Sequence, residues 1–572
     1  MSKTNKSLLL VLAGMMVALS ACSDANNGKE SPKASTAPAQ TGTAATAGQS
    51  DAGPFTKSAN PITIRIGKDV DAADKSLPAG DSPENNQYTR YIKENLNIDT
   101  KIVWQAAGGK DYDQKVNLSI ASNDLPDALV VKDTQFRQMV KSGQLADLTE
   151  VYKKYASPAL KQIIDSTQGL ALKSVTVDGK MYALPNVTTE SDMVHMMWIR
   201  KDWLDKLGLE PPKTMDDLEK VAKAFVEQDP DGNGKADTIG ITGPQLGGLL
   251  NADFINPNNN NYGFDPIFAS YHSYPGFWVK GADGKTTYGS LQPETKQALA
   301  KLRDLYAKGL IDKEMTIRKD AQELIKNGTS GIYFGLWWAG GYGPLADAIK
   351  NNPKANWQAY TAPLDVNGEF TPHMGNPTNQ YLVVRKGYEH PEAAIQMENL
   401  LLRDESKFDV KVAIGNYPLR IVFAPMDEMD VTYKMMKEVL AGTKKPEDLD
   451  IPGYKLLKAD AEKVKKVKLE PYDKNDIQYW DPNADLGAWK RMYSTFVGIS
   501  PLQKPYKKTY SVTYSQTKTM ESRWASLDKL EKETFLKIIM GAAPLDTFDK
   551  FVQDWKKQGG DQIIAEIEEN LK

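Results

Sequence analysis

The chain has 572 residues, 41% hydrophobic and 25% charged, enough for two or more globular bodies with ample core. A net charge of −3 leaves no broad basic field, which excludes a nucleic-acid reader and a polycationic membrane binder. A single cysteine excludes an internal disulfide framework and cysteine-rich zinc or iron–sulfur chemistry.

Lys3 and Lys6 precede the apolar run LLLVLAGMMVALSA, Leu8 to Ala21. A charged start followed by an apolar stretch too short for a comfortable membrane span predicts a secretory signal over 1–21. The run ends in LSAC, and Cys22 has only polar chain after it. The stretch resembles a bacterial lipobox, which implies a lipid (palmitate-type) anchor on Cys22. Residues 22–59 are rich in Ser, Thr, Ala, Gly and Pro and carry almost no large apolar side chains. Such a stretch buries too little surface to fold and predicts a flexible tether. Signal, anchor and tether together predict attachment to the extracytoplasmic face of a cell membrane.

From Pro61 the pattern changes. PITIRIG alternates as a strand, NNQYTRYIKENLNI follows as a helix, KIVWQAA as a strand, DYDQKVNLSIASN as a helix and PDALVVK as a buried strand. Strands alternating with helices predict a parallel α/β body. MVHMMWIR reads as a strand, and KDWLDKLGL as a short helix stopped near Gly208. Pro211 and Pro212 interrupt the chain, and Thr214 then caps a helix that runs to about Gln228, with Asp216 and Asp217 in its first turn.

WIRKDWLDKLGLEPPKTMDDLEKVAKAF resembles the signature of extracellular solute-binding proteins of carbohydrate ABC importers. It is most similar to the long Gram-positive lipoproteins related to alginate-binding proteins. ASNDLPDALVV, PETKQALAKLRDLYAKGLIDKE, GIYFGLWWAGG, HPEAAIQMENLLL and the C-terminal IIMGAAPLDTFDKFVQDWKKQGGDQIIAEIEENL agree in order. The resemblance spans about Pro61 to Lys572. It implies a two-lobe, periplasmic-binding-protein-like (type II) α/β fold with hinge crossovers and a ligand cleft. It places lobe one at 60–188 and 366–405, and lobe two at 189–365 and 406–572. The partners it implies are a carbohydrate, the permease subunits of an ABC transporter and the membrane through the lipid anchor. The working unit is expected to be a monomer without enzymatic activity. An exported polysaccharide-degrading enzyme and a sugar sensor feeding a membrane receptor are the alternatives.

DPDGNGKADTIG, Asp229 to Gly240, has oxygen donors in alternating register: Asp229, Asp231, Asn233, the Lys235 carbonyl and Asp237. That donor set suits Ca2+, a hard cation needing six to eight oxygens. Gly240 stands where an EF-hand has its bidentate Glu, and a strand or turn follows in place of a second helix. The reading is therefore a structural calcium staple and not a sensor. Related alginate-binding proteins carry a loop of this kind with an acidic residue directly after the last Asp; here that residue is Thr238.

Sugars present C–H faces edged by hydroxyls, so aromatic platforms with polar neighbours are candidate contacts. GLWWAGGYGP offers Trp337, Trp338 and Tyr342 after a strand, and adjacent Trp residues there point to opposite faces. YHSYPGFW offers Tyr271, Tyr274 and Trp278; QYWDPNADLGAW offers Trp480 and Trp489 with Asp481 and Asn483. Asn379 and Tyr381 lie in the expected return strand, Arg420 suits hydroxyls or an acidic sugar, and Trp104 ends the second strand, where open α/β sheets bind ligands. Each has core packing as its alternative. His195, His272, His373 and His390 are scattered and match no metal motif. SLDK and SQTK lack the companion motifs of a Ser-x-x-Lys enzyme, so no catalytic residue is nominated.

Overall fold

A computed structural model describes residues 52–71, 74–255, 261–281, 283–409, 411–451, 453–454, 456–465 and 485–571. The signal, Cys22 and most of the tether lie outside the described residues, as do Trp480, Asp481 and Asn483. Among the described residues no helix is long and apolar enough to cross a membrane.

The chain opens with β1 (Ile62–Val70), whose Ile62, Ile64 and Ile66 are buried while Thr63 and Arg65 face solvent. That period of two is what one buried face requires. Next come α1 (Gln87–Leu96), capped by the Asn86 side chain, β2 (Ile98–Ala107), α2 (Lys110–Ser122), β3 (Ala128–Val131) and α3 (Asp133–Lys141). β4 (Leu184–Pro185) leads out of this lobe. The second lobe begins with β5 (Met196–Arg200), α4 (Lys201–Leu207) and α5 (Met215–Glu227). Gly208 ends α4 in the left-handed region at φ +66, and Thr214 and Asp217 cap α5 reciprocally. β6 (Ile239–Ile241), β7 (Ser330–Gly335) and β8 (Trp357–Tyr360) complete its sheet. β9 (Tyr381–Val384) returns to lobe one, and α6 (Lys518–Ile539) is the long helix of lobe two.

Lobe one is a five-stranded sheet in the order β2-β1-β3-β9-β4, and lobe two a four-stranded sheet in the order β8-β5-β7-β6. β1 runs parallel to β2 and β3, as expected. β9 is antiparallel to both β3 and β4 because it enters from the other lobe in the opposite direction. Lobe two is likewise mixed, with β5 antiparallel to β7 and β8.

The hydrophobic cores correct the expected boundaries. Phe370 and Met374 pack in lobe two, and the Thr371 hydroxyl donates to the Ala269 carbonyl there, so 366–375 is not part of lobe one. Val412, Tyr417, Leu419, Ile421 and Phe423 pack in the lobe-one core, and buried Lys68 Nζ donates to the Gly415 and Tyr417 carbonyls at 2.9 and 2.8 Å. Lobe one thus reclaims the chain to about Ala424. The tether ends earlier than residue 59. Gln396 Nε2 donates to the Gly53 carbonyl, and Arg403 lies 4.2 Å from the Phe55 ring centroid.

The chain passes between the lobes three times, near 186–190, 376–380 and 422–426. The passes are knitted together: Val187 N–H donates to Val422 O, Ala424 N–H to Val187 O, and Thr188 N–H to Pro377 O. Asn186 binds its neighbour most densely. Its Oδ1 accepts from the Asn379 and Gln380 amides, both at 2.8 Å, and its Nδ2 donates to Asn379 Oδ1 at 2.9 Å. Gln380 Oε1 in turn accepts from Val422 N–H.

Candidate functional site

A cleft of about 930 Å3 lies between the lobes. Lobe one supplies Lys132, Asp133 and Thr134 from the end of β3 and start of α3, and Asn379 to Tyr381 from the return pass. Lobe two supplies the 245–255 loop, Tyr262, Tyr288, Trp338 and the inner face of α6 with Asp528, Glu531 and Lys532. Near these walls the lobes meet directly. Arg137 donates to Ser515 Oγ at 2.7 Å, and Lys141 pairs with Glu521 at 2.8 Å.

The lobe-two wall holds hydrogen-bonding groups that the chain leaves unused. Asn251 Nδ2, the Tyr262 hydroxyl and Glu531 Oε2 are buried without a well-aligned protein hydrogen bond, although the Asn261 side chain lies near Tyr262 and the Tyr288 hydroxyl near Glu531. The rest of each side chain is fixed: Asn251 Oδ1 accepts from Gly263 N–H at 2.7 Å, and Glu531 Oε1 accepts from the Ser290 hydroxyl at 2.8 Å. A buried polar atom left unpaired costs about 1–3 kcal/mol, and such exceptions are few in native proteins. Similar atoms occur elsewhere in the fold, but the three on this wall stand beside a cleft, where a hydroxyl-rich guest or ordered water can reach them. Apolar surface accompanies them. Trp338 is half-buried on the cleft wall and Leu246 is 64% exposed there.

Residues 79–407 match the family of bacterial extracellular solute-binding proteins. The chain belongs to that family. This solute-binding protein is 26% identical over 511 residues to the polygalacturonan/rhamnogalacturonan-binding protein YtcQ of Bacillus subtilis, covering 86% of this chain and 89% of YtcQ. It is 36% identical over 290 residues to the fructooligosaccharide ABC transporter substrate-binding protein FusA of Streptococcus pneumoniae, covering 48% of each. The solved structure of FusA with kestose superposes with a TM-score of 0.56 at 19% identity, covering 89% of this chain and 98% of that one. The alginate-binding protein AlgQ2, solved without calcium ion, gives 0.56 at 18% identity, covering 90% and 98%. The two-lobe fold inferred from the sequence is thereby established.

The solute-binding protein sorts its nominated aromatics by position. Trp338 lines the cleft, whereas Trp337 is 5% exposed, donates its Nε1–H to Asp192 Oδ1 at 2.8 Å and packs in the core. The adjacent pair therefore divides between core and cleft, although β7 has already ended at Gly335. Trp278 is fully buried among Phe254, Tyr288, Trp524 and Trp555, and Tyr274 is buried in the same core, so neither is a ligand contact. Trp489 is also fully buried, stacked on Tyr493 at 5.1 Å. Trp104 lies over Gly67 and beside Tyr112 on β2, the edge strand of lobe one, away from the cleft. Arg420 sits in the 412–423 segment of lobe one and does not line the cleft either. Asn379 and Tyr381 do line it, but both are partly committed. Asn379 Oδ1 holds Asn186, and the Tyr381 hydroxyl donates to Asp133 Oδ1 at 3.1 Å while its ring stacks on Phe136. The Tyr342 side chain and Trp480 lie outside the described residues. Sequence reading missed Asn251, Tyr262, Leu246 and Glu531, because no periodicity or motif marks a polar atom left unpaired by the fold.

A second cavity of about 850 Å3 lies wholly in lobe two, between the Pro211–Pro212 turn and the 500–507 segment. None of the nominated residues lines it. Two of the histidines come together away from both cavities: the His195 and His373 rings are 6.3 Å apart, and His373 Nε2 is 3.5 Å from buried Asp265 Oδ1. Burial lowers the His373 pKa to about 3 and raises that of Asp265 to about 7, so both are neutral for most of the acidic range.

The 229–240 loop is tightly self-bonded. Asp229 accepts from Gly232 and Asn233 N–H through Oδ1 and from Gly234 N–H through Oδ2. Gly232 and Gly234 take φ +75, which glycine adopts freely. Asn233 Nδ2 donates to Asp231 Oδ2 at 2.8 Å and to Asp237 Oδ1 at 3.1 Å. This amide stands between the acidic groups, and among the described residues no three His, Cys, Asp or Glu side chains gather as a metal-ligating group. Asp229, Asp231, Asn233 and Asp237 supply oxygen atoms of the type a hard cation takes, but here they are spent on hydrogen bonds within the loop. Thr238 turns away and donates to the Phe225 carbonyl on α5. A Cβ on Gly240 would meet Leu310 O at 2.8 Å and Ala222 Cβ at 2.9 Å, so no carboxylate fits at that position. Lys206 on α4 clamps the loop from below through the Asp229 and Pro230 carbonyls.

Proposed function

We propose that this protein captures an oligosaccharide in the interlobe cleft and presents the closed, loaded form to the permease of an ABC importer. The observation that carries this reading is the set of buried, unpaired polar atoms on Asn251, Tyr262 and Glu531 beside half-buried Trp338. Hydroxyls satisfy such atoms, and a sugar face covers an indole. The names of YtcQ and FusA favour a saccharide ligand. Three knitted crossovers suit a hinge about which the lobes close, and the Arg137–Ser515 contact between the lobes supports this reading. The protein does no chemistry on its ligand. It works as a monomer held by lipid on Cys22.

The proposal includes a structural Ca2+ held by Asp229, Asp231, Asn233, Asp237 and the Lys235 carbonyl, neutralising the loop's carboxylates. Calorimetry of the purified chain against a panel of oligosaccharides tests the main reading. Stoichiometric binding with the sugar recovered intact is expected. Release of shortened or unsaturated products would instead make it a hydrolase or lyase.

A further inference from the structure

YtcQ and FusA, by their names, bind acidic and uncharged saccharides respectively, and the charges around this cleft distinguish the two cases. Among the described lining residues there is no arginine, the side chain that grips a carboxylate with two parallel hydrogen bonds. The cations are Lys132 and Lys532, and each already has a carboxylate. Lys132 Nζ lies 2.6 Å from Asp113, and Lys532 Nζ lies 2.7 Å from Asp528. The guanidinium of Arg137, beside Asp133, is shared between Asp133 and Ser515. Against them the lining carries four carboxyl groups, on Asp133, Asp253, Asp528 and Glu531. Glu531 is 3% exposed and leaves Oε2 unpaired.

We propose that the cleft is specific for uncharged oligosaccharides and rejects uronates, with Asp528 on α6, which occupies Lys532, as the specificity-determining residue. This deepens the carbohydrate reading above and rests on it. A ligand carboxylate entering this wall finds no uncommitted cation to offset its loss of water, because Lys132 and Lys532 already hold Asp113 and Asp528. A neutral sugar meets none of this. Burial pushes the Glu531 carboxyl up to about 8, against the lowering effect of the Ser290 and Tyr288 hydroxyls. At neutral pH it therefore offers a hydrogen bond rather than a charge. A cationic amino sugar gains little, because Asp528 and Asp133 are already engaged by Lys532 and Arg137.

The test is calorimetry at pH 7 of the full-length protein with three series: malto- and fructo-oligosaccharides, oligogalacturonates, and glucosamine oligomers. Binding is expected from the neutral series, with every charged oligomer at least about tenfold weaker. Equal or tighter binding of either charged series overturns the proposal. No binding from any series overturns the carbohydrate reading itself, which is a different result. Asp528→Asn removes one charge and releases Lys532. It is expected to raise the ratio of oligogalacturonate to neutral affinity by about tenfold. An unchanged ratio in a folded variant, checked by its melting transition, would overturn the assignment of specificity to Asp528.

Discussion

Trp338 and Trp278 show how one residue type serves two ends. Trp338 is half-buried on the cleft wall, so Trp338→Ala should weaken oligosaccharide affinity by about tenfold with little change in melting temperature. Trp278 is fully buried against Phe254, Trp524 and Trp555. Trp278→Ala should cost about 3–5 kcal/mol in denaturant unfolding. The reverse pattern would exchange their roles. Glu531 adds a pH signature. Its ordinary value is 4.5 and burial raises it to about 8, so between these the folded chain holds a proton that the unfolded chain has lost. Its contribution to stability therefore falls as pH rises from about 4.5 to about 8. The neighbours that bias it are the Ser290 and Tyr288 hydroxyls, Asp528 and Lys532. Glu531→Gln removes the penalty, so its stability relative to wild type should be higher at pH 8 than at pH 5. Equal differences at the two pH values would argue against a buried neutral carboxyl.

At the scale of elements, the 229–240 loop joins α5 to β6, and its placement is enforced from three sides. Lys206 holds its carbonyls, Thr238 ties it to Phe225, and the close packing of β6 on α5 demands Gly240. Gly240→Ala should destabilise by about 1–3 kcal/mol through overpacking against Leu310 and Ala222. If calcium completes the loop, EDTA should lower the melting temperature and added Ca2+ restore it, by the linkage of binding to folding. Preference among sugars should stay as it was, since none of the loop's acidic residues lines the cleft. A melting curve indifferent to EDTA would sink the metal reading. The α6 helix works differently: Trp524, Leu527 and Phe535 bury its core face while Asp528, Glu531 and Lys532 reach the cleft. One element thus carries both packing and specificity.

At the scale of the molecule, the proposed capture depends on contacts between the lobes. A contact made only between closed lobes stabilises the loaded state and adds nothing to an open one. The hydrogen bond from Arg137 to Ser515 joins the two lobes and is partly buried and charge-assisted. Ser515→Ala should lower affinity for every ligand by about three- to tenfold without altering selectivity. Small-angle scattering should show less compaction on adding ligand to the variant than to the wild type. The Lys141–Glu521 pair is largely exposed, so its loss should matter far less.

The sequence alone determined the local facts. Alternation in PITIRIG made β1, Thr214 with Asp217 started α5, Gly208 stopped α4, and the order of segments matched the two-lobe family. These depend on neighbours a few residues apart, so a linear string contains them. Only the tertiary structure decided which tryptophan faces the cleft, that 412–423 packs back on lobe one through Lys68, and that Asn186 knits the crossovers. Those facts depend on groups hundreds of residues apart in the chain, Asn186 and Asn379 being separated by 193 positions. The cleft's chemistry belongs wholly to this second kind. Glu531 is one acidic residue among 74 until folding buries it, spends one of its oxygens on Ser290 and leaves the other without a well-aligned partner.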